Sequence, residues 1–210
     1  MKTKNIYIPS CNEFRKGCKE YVKYEKRDAM YRVATFLVSH FWNKHSGMTD
    51  GLGVLLLTWN QGFYRYGPFD FDKLEKCIKD NFKDIAAFRR KDISSLTESD
   101  RNTITKLFCE LLNALEICSG KGKGRKSPVS VSKTLHLLAP KFFPLWDYNI
   151  AKAYGYYYYK NSEEKYFAFS KIVQNMSSKL KNCDYVKNSN RSILKLIDEY
   201  NYSKHTKGWI

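Results

Sequence analysis

Ser99 to Gly120 reads SDRNTITKLFCELLNALEICSG, and its spacing decides the fold. Ile104, Leu107, Phe108, Leu111, Leu112, Leu115 and Cys118 recur at steps of three and four, which places them on one stripe of an amphipathic helix. Ser99 or Asp100 supplies the oxygen that caps its first turn, and Gly120 ends it. The same period repeats outward in both directions. Tyr24, Met30, Tyr31, Val33, Ala34, Leu37, Val38 and Phe41 describe one long helix within Glu20 to Lys44, ending near Gly47. The run VLLLTW, bounded by glycines, predicts a central helix over Gly53 to Gln61, with a buried strand as the competing assignment. Asp70 or Asp72 caps a helix running to about Phe82, and Asp84 to Arg90 forms a short one. Further helices fit Val129 to Ala139, Asp147 to about Tyr157, Glu163 to Leu180 and Ser189 to Tyr200. With no internal repeat and no linker, the expected fold class is all-α and the expected organisation a single domain over residues 1–210.

The formal net charge is +16, from 37 Lys and Arg against 21 Asp and Glu, spread along the chain. Such an excess repels itself unless a polyanion neutralises it, so DNA or RNA is the expected partner. A chain from a generally lysine-rich proteome is the plainer alternative. Cys11, Cys18, Cys77, Cys109, Cys118 and Cys183 form no CxxC pair, and His40, His45, His136 and His205 show no ligand spacing, which disfavours a zinc or iron–sulfur site. Cys109 and Cys118 fall in the helix pattern as small buried apolar residues, and the expected compartment is a reducing one. Val54 to Leu57 is the longest apolar run and no apolar leader follows Met1, so the expected location is cytoplasmic, with no membrane.

The chemistry concentrates in residues 119–155, SGKGKGRKSPVSVSKTLHLLAPKFFPLWDYNIAKAYG. A flexible glycine loop feeding a helix start presents backbone amides and a helix dipole to an anion, and Lys121, Lys123, Arg125 and Lys126 add phosphate neutralisation. No glycine stands where a Walker A loop needs one before Lys126. On the following helix Val131, Leu135 and Leu138 form the apolar stripe. Lys133 lies on the opposite side, where it either faces water or enters a cleft as a desolvated nucleophile. Asp147, after Pro144 and between Trp146 and Tyr148, opens the next helix. It can cap amides, stabilise positive charge on a reacting sugar, or do both. The run Gly155 to Lys160, GYYYYK, is read as tyrosines partly buried at a lobe interface, with base stacking as the alternative.

This constellation resembles the helix-hairpin-helix superfamily of DNA glycosylases. Ser132-Lys133-Thr134-Leu135 is similar to the family's hairpin end G-x-K-T-A, and Leu145 to Ile150, LWDYNI, to its V-D-T-H-V segment. The helix holding Leu55 to Gln61 is similar to the family's L-L-x-x-Q-T helix. The likeness covers Gly53 to Gly155. It departs in a shorter interval from Lys133 to Asp147, in a missing cysteine cluster, and in Ser127 to Ser132 standing for the hairpin glycines.

The resemblance implies a compact two-lobed helical bundle, its lobes sharing a central cleft, with a helix-hairpin-helix-like element. Its implied activity is flipping a damaged or modified base out of double-stranded DNA and cleaving the N-glycosidic bond. Asp147 and Lys133 are the implied catalytic pair. Lys121, Lys123, Arg125, Lys126, Ser130 and Ser132 are the implied DNA contacts. Trp59, Asn60, Gln61 and Trp146 are the implied base pocket, with Phe63 and Tyr64 as further wall candidates. If Lys133 attacks the sugar, a Schiff base forms and the strand can also be nicked. No metal or cofactor is implied, and a monomer is expected. His136, one turn from Lys133, is the histidine to watch. The rivals are a non-enzymatic DNA- or RNA-binding module, with Asp147 only a cap, and a metal-dependent nuclease.

Overall fold

The computed structural model describes residues 7–157 and 159–210. Tyr158, within the GYYYYK run, lies outside the described residues. All regular elements among them are helical, apart from an isolated bridge between Phe69 and Ile117. One contiguous apolar cluster runs from Phe14 to Tyr200, which fits a single folding unit. No helix among the described residues is long and apolar enough to cross a membrane.

Helix α1 (Cys11–Tyr24) starts at Ser10, whose hydroxyl accepts from the Glu13 amide, and buries Phe14, Gly17, Cys18 and Tyr21 at helical spacing. The continuous helix expected from Glu20 is broken here. Residues 25–28 turn, Asp28 takes a left-handed conformation with φ of 42°, and α2 (Ala29–His40) begins anew. The cause is tertiary, because the Asp28 carboxylate reaches Lys195 Nζ at 2.9 Å.

Helix α3 (His45–Trp59) starts well before Gly53, and its glycines are packing points rather than boundaries. A Cβ on Gly51 would lie 2.9 Å from Leu37 Cβ, and one on Gly53 would lie 2.6 Å from the Phe71 ring. The helix interior therefore trades propensity for close approach to α2 and to the next helices.

A short turn, α4 (Gln61–Tyr64), leads to α5 (Phe71–Asp80), capped by Asp70, and to α6 (Phe82–Arg89). Thr97 and Asp100 form a capping box ahead of α7 (Arg101–Ala114), which buries Ile104, Leu107, Phe108 and Leu111 as its stripe predicts. It stops at Ala114, short of Gly120. Cys109 faces solvent and Cys118 is half-buried beyond the helix end, so neither fills the core as expected.

The glycine loop after α7 is not a loose tether. Cys118 donates to the Pro68 carbonyl and Gly122 to that of Tyr66, both at 2.9 Å, while Gly124 closes back on Ile117. Those amides are consumed internally. Gly67, with φ of 148°, allows this approach, since a Cβ there would sit 1.9 Å from the Ser119 carbonyl oxygen.

Helix α8 (Pro128–Leu138) carries Ser127 as cap and Pro128 in its first turn, and it is buried nearly all round. It is followed by α9 (Tyr148–Ala153), α10 (Ser162–Leu180), α11 (Asp184–Lys187) and α12 (Ile193–Asn201), which runs on into a π-helical turn at Tyr202–Thr206. Helices α2, α3, α5, α7 and α8 pack among themselves; α1, α9, α12 and the π turn pack together on the other side, and α10 touches both groups.

Cys11 and Cys183 are joined as a disulfide with Cα atoms 5.7 Å apart, tying the start of α1 to the residue before α11. A disulfide is rare in the reducing compartment expected from the cysteine spacing; the partners are 172 residues apart and no local spacing announces them.

Candidate functional site

A cavity of about 290 Å³ opens where the two groups of helices meet. Its walls come from five places: Tyr21 of α1 with Glu25 just past its end, Thr58 and Trp59 of α3, Lys133 of α8, the segment Leu145 to Asp147, and Asp198 of α12 with Tyr202 of the π turn. The volume lies at the low end of the usual range for small-ligand sites, suited to one flat heterocycle and its sugar rather than to a large cofactor.

Lys133 is the residue of α8 that its burial pattern leaves to this cavity. Its Nζ donates to the Trp59 carbonyl at 2.8 Å and lies 5.5 Å from the centre of the Trp59 ring. Burial lowers the Lys133 pKa to about 8, against the partial support of Asp198 and Asp147. A meaningful fraction of free amine, about a tenth, is therefore present at pH 7.

Asp147 caps α9 and holds a second hydrogen bond. One oxygen accepts from the Ile150 amide at 2.8 Å as the cap of α9, and the other accepts from the Thr206 hydroxyl at 2.5 Å. The carboxylate is thereby fixed in rotation while its edge lines the cavity. Thr206 belongs to the π turn, an irregularity that often marks functional sites.

Trp59 forms a wall, stacked on Tyr31 with ring centres 5.6 Å apart. Trp146 reaches the cavity but is 1% exposed, its indole bonded to the Pro128 carbonyl and its ring set among Phe108, Tyr166 and Phe169. It serves mainly as floor and core.

Other expected members of the pocket lie elsewhere. Asn60 donates to the hydroxyls of Ser130, at 2.6 Å, and Ser127, at 3.2 Å, and so fastens the end of α3 to the start of α8. Gln61 is exposed on α4 and does not line the cavity. Tyr64 is buried with its hydroxyl on the Leu115 carbonyl, and Phe63 lies beneath the Arg125 guanidinium. Neither is a wall.

Lys121, Lys123, Arg125 and Lys126 are all exposed on the 120–127 loop, consistent with a backbone-contacting surface. Arg125 also stacks over Tyr66, and Lys126 bonds Asn113 and pairs with Glu116. Ser130 and Ser132 are corrected: both are fully buried, and the Ser132 hydroxyl binds the Val129 and Trp146 carbonyls. Ser132 secures the segment that carries Asp147 and Ser130 receives Asn60, and neither can reach a phosphate.

His136 is sealed away from the cavity. Its Nδ1 donates to the Phe143 carbonyl at 2.8 Å, so Nε2 accepts from the Tyr31 hydroxyl at 2.9 Å. Burial pushes its pKa down to about 4, which keeps it neutral and structural.

Sequence reasoning missed an entire wall. Lys195 is 2% exposed, with Nζ at 2.9 Å from Asp28, 3.7 Å from Asp198 and 3.8 Å from Glu199, and 3.1 Å from the Tyr21 hydroxyl. Burial opposes its charge, but the three carboxylates more than restore it and raise its pKa. Arg191 also pairs with Glu199. In the sequence, Arg191, Lys195, Asp198 and Glu199 recur at steps of three and four, the ordinary mark of a solvated helix face. The available signal was their interleaving with Leu194, Leu196 and Ile197, which leaves no polar side for that face to belong to.

Comparison with protein-family models, with curated proteins and with solved structures found no match.

Proposed function

We propose that this protein is a DNA N-glycosylase that flips a damaged or modified base out of the duplex and breaks its bond to the sugar. The observation that supports it is the meeting of Lys133 and Asp147 in one cavity, as a desolvated amine beside an oriented carboxylate. A module that only neutralises phosphate gains nothing from burying an ammonium, because that burial costs stability and hides the charge. Chemistry gives the burial a purpose.

In this reading the exposed cations of the 120–127 loop hold the strand, and the flipped nucleotide enters between Trp59 and Tyr202. Asp147 stabilises positive charge as it develops at C1′, with Thr206 and the α9 amide keeping its oxygens aimed. The free-amine form of Lys133 attacks C1′ and displaces the base, and the sugar ring then opens at the C1′–O4′ bond to an imine that can lead on to strand nicking. The protein acts on double-stranded DNA as a cytoplasmic monomer, in repair or in defence against modified foreign DNA.

The test is incubation with genomic DNAs and duplexes carrying different base modifications, scoring free base by mass spectrometry and abasic sites with an aldehyde-reactive probe. Base release that is lost in Lys133→Met and strongly reduced in Asp147→Asn, with DNA affinity kept, is the expected result. Binding without release from any DNA favours the non-enzymatic rival, and strand cleavage abolished by chelator favours a nuclease.

A further inference from the structure

The cavity holds a second acid. Asp198 lines the same space as Lys133 and Asp147, and its side chain is 13% exposed. Lys195 and Glu199 face it from its own helix, Tyr21 from α1, Asp28 from the α1–α2 turn, Tyr31 from α2, Lys133 from α8 and Asp147 from the α9 cap. Its nearest cation, Lys195, is shared with Asp28 and Glu199 and lies closest to Asp28. Asp198 is thus anchored without being fully neutralised.

An amine that adds to carbon must shed a proton, and an oxygen that leaves carbon must gain one. Asp147 is poorly placed for this traffic, because both its oxygens already accept hydrogen bonds. We propose that Asp198 is the proton-transfer group for Lys133, taking the proton released when the Lys133 nitrogen bonds to C1′ and returning it to the departing oxygen. The biological setting rests on the base-excision reading; the proton transfer itself needs only a reactive sugar carbon.

On an intact nucleotide, the N–C1′ bond forms as the bond to the base breaks, and the base leaves with the electron pair and takes a proton from water. Asp198 accepts the proton from the new ammonium. The nitrogen lone pair then opens the C1′–O4′ bond, and O4′ receives that proton from Asp198, leaving an iminium. On an aldehydic abasic site the nitrogen adds to the carbonyl carbon, the alkoxide so formed takes a proton from water and leaves hydroxide, Asp198 moves the ammonium proton to the resulting hydroxyl, and water leaves as the nitrogen lone pair forms the iminium.

The titration of the two groups suits the exchange. Burial, opposed by Lys195, pushes the Asp198 carboxyl up to about 6, and burial brings the Lys133 amine down to about 8. Donor and acceptor are far closer than in free side chains, which favours rapid transfer both ways.

The probe is a duplex oligonucleotide bearing one aldehydic abasic site, mixed with the protein and sodium cyanoborohydride and scored for covalent complex between about pH 5 and pH 9. It needs no knowledge of the base. Trapping should depend on Lys133, being lost in Lys133→Met. For the wild type, the logarithm of the rate should rise with a slope approaching two below pH 6, where both groups lose protons, and one between about pH 6 and pH 8. Asp198→Asn should be slower by about a hundredfold at pH 7 and show a slope of one, with no steeper limb, from pH 5 up to the Lys133 titration.

An Asp198→Asn protein that traps at the wild-type rate with the steep limb intact overturns the proposal, as does a wild type forming no Lys133-dependent complex. If circular dichroism shows that Asp198→Asn does not fold, the wild-type profile decides, and a slope of one down to pH 5 overturns it. Trapping with the expected profile, but no base release from any modified duplex, leaves the proton transfer standing and removes the glycosylase reading. Base release without a Lys133-dependent complex does the reverse.

Discussion

Replacing Lys133 by methionine is expected to stabilise the folded protein at neutral pH while removing its nucleophile. Methionine keeps an unbranched chain of similar length and discards the ammonium. The amine falls from an ordinary lysine's 10.5 to about 8 on folding, so the charged form is disfavoured in the fold by about 3 kcal/mol at pH 6.5. Against this, the Trp59 carbonyl loses the donor it holds at 2.8 Å, which costs about 1–2 kcal/mol. The variant should gain about 1–2 kcal/mol at that pH.

The gain has a definite pH dependence. A folded-state pKa below the unfolded one means that the penalty is complete below about pH 8 and fades as pH climbs towards 10.5. By pH 9.5, about 2 kcal/mol of the difference between the two proteins should have gone, whatever the carbonyl costs. Urea denaturation of both proteins at the two pH values measures it, with shared titrations cancelling in the difference. A stability difference that is the same at both pH values would refute the burial argument. So would a variant weaker than wild type by more than about 1 kcal/mol at pH 6.5.

Asp147→Asn should retain the α9 cap, since asparagine caps as well as aspartate, and stay within about 0.5 kcal/mol of wild type while base release falls by about 10²–10³-fold; single-turnover assays and thermal melts read the two effects separately. Lys121→Ala with Lys123→Ala should weaken duplex binding and lower the slope of log affinity against log salt by about two, read by fluorescence anisotropy at several salt concentrations. Gly67→Ala places a Cβ 1.9 Å from the Ser119 oxygen at a φ that side chains rarely adopt, and should cost about 2–4 kcal/mol in a denaturation curve. Reducing the Cys11–Cys183 bond opens a closure of 172 residues, and chain entropy sets an upper value of about 5 kcal/mol for the loss, visible as a lower denaturant midpoint.

Local pattern carried much of the fold. The stripe of α7 lies where its spacing places it, and α10 spans Ser162–Leu180 against an expected Glu163 to Leu180. The misreadings arise where distant residues decide. The break after Tyr24 depends on an ion pair with Lys195, and the apolar period of α1 and α2 runs through it undisturbed. Glycines in α3 look like boundaries until the side chains they admit, Leu37 and Phe71, are known.

The site divides in the same way. Lys133 was legible from its place opposite the Val131, Leu135 and Leu138 stripe, and Asp147 because it stands at a helix start whose flanking residues mark it. Asn60 could be located at the end of a helix, but its inward turn towards Ser127 and Ser130 depends on how α3 meets α8. Asp198 lies in a helix with ordinary charge spacing, and beyond the interleaved Leu194, Leu196 and Ile197 it is the packing of α12 against α1 that leaves this face little water to meet.

That packing also sets an order of events during synthesis. Helix α1 is translated well before the segments it rests on, α12 and the π turn. Until Thr206 has cleared the exit tunnel, Asp147 lacks one of its two hydrogen-bond donors and the cavity lacks the wall that bears Asp198. Such long-range closure is slow to form and is lost together when it opens. A nascent chain that stops before Asp198 and Thr206 would therefore carry Lys133 without the cavity around it, and the site would be completed only once those residues had docked.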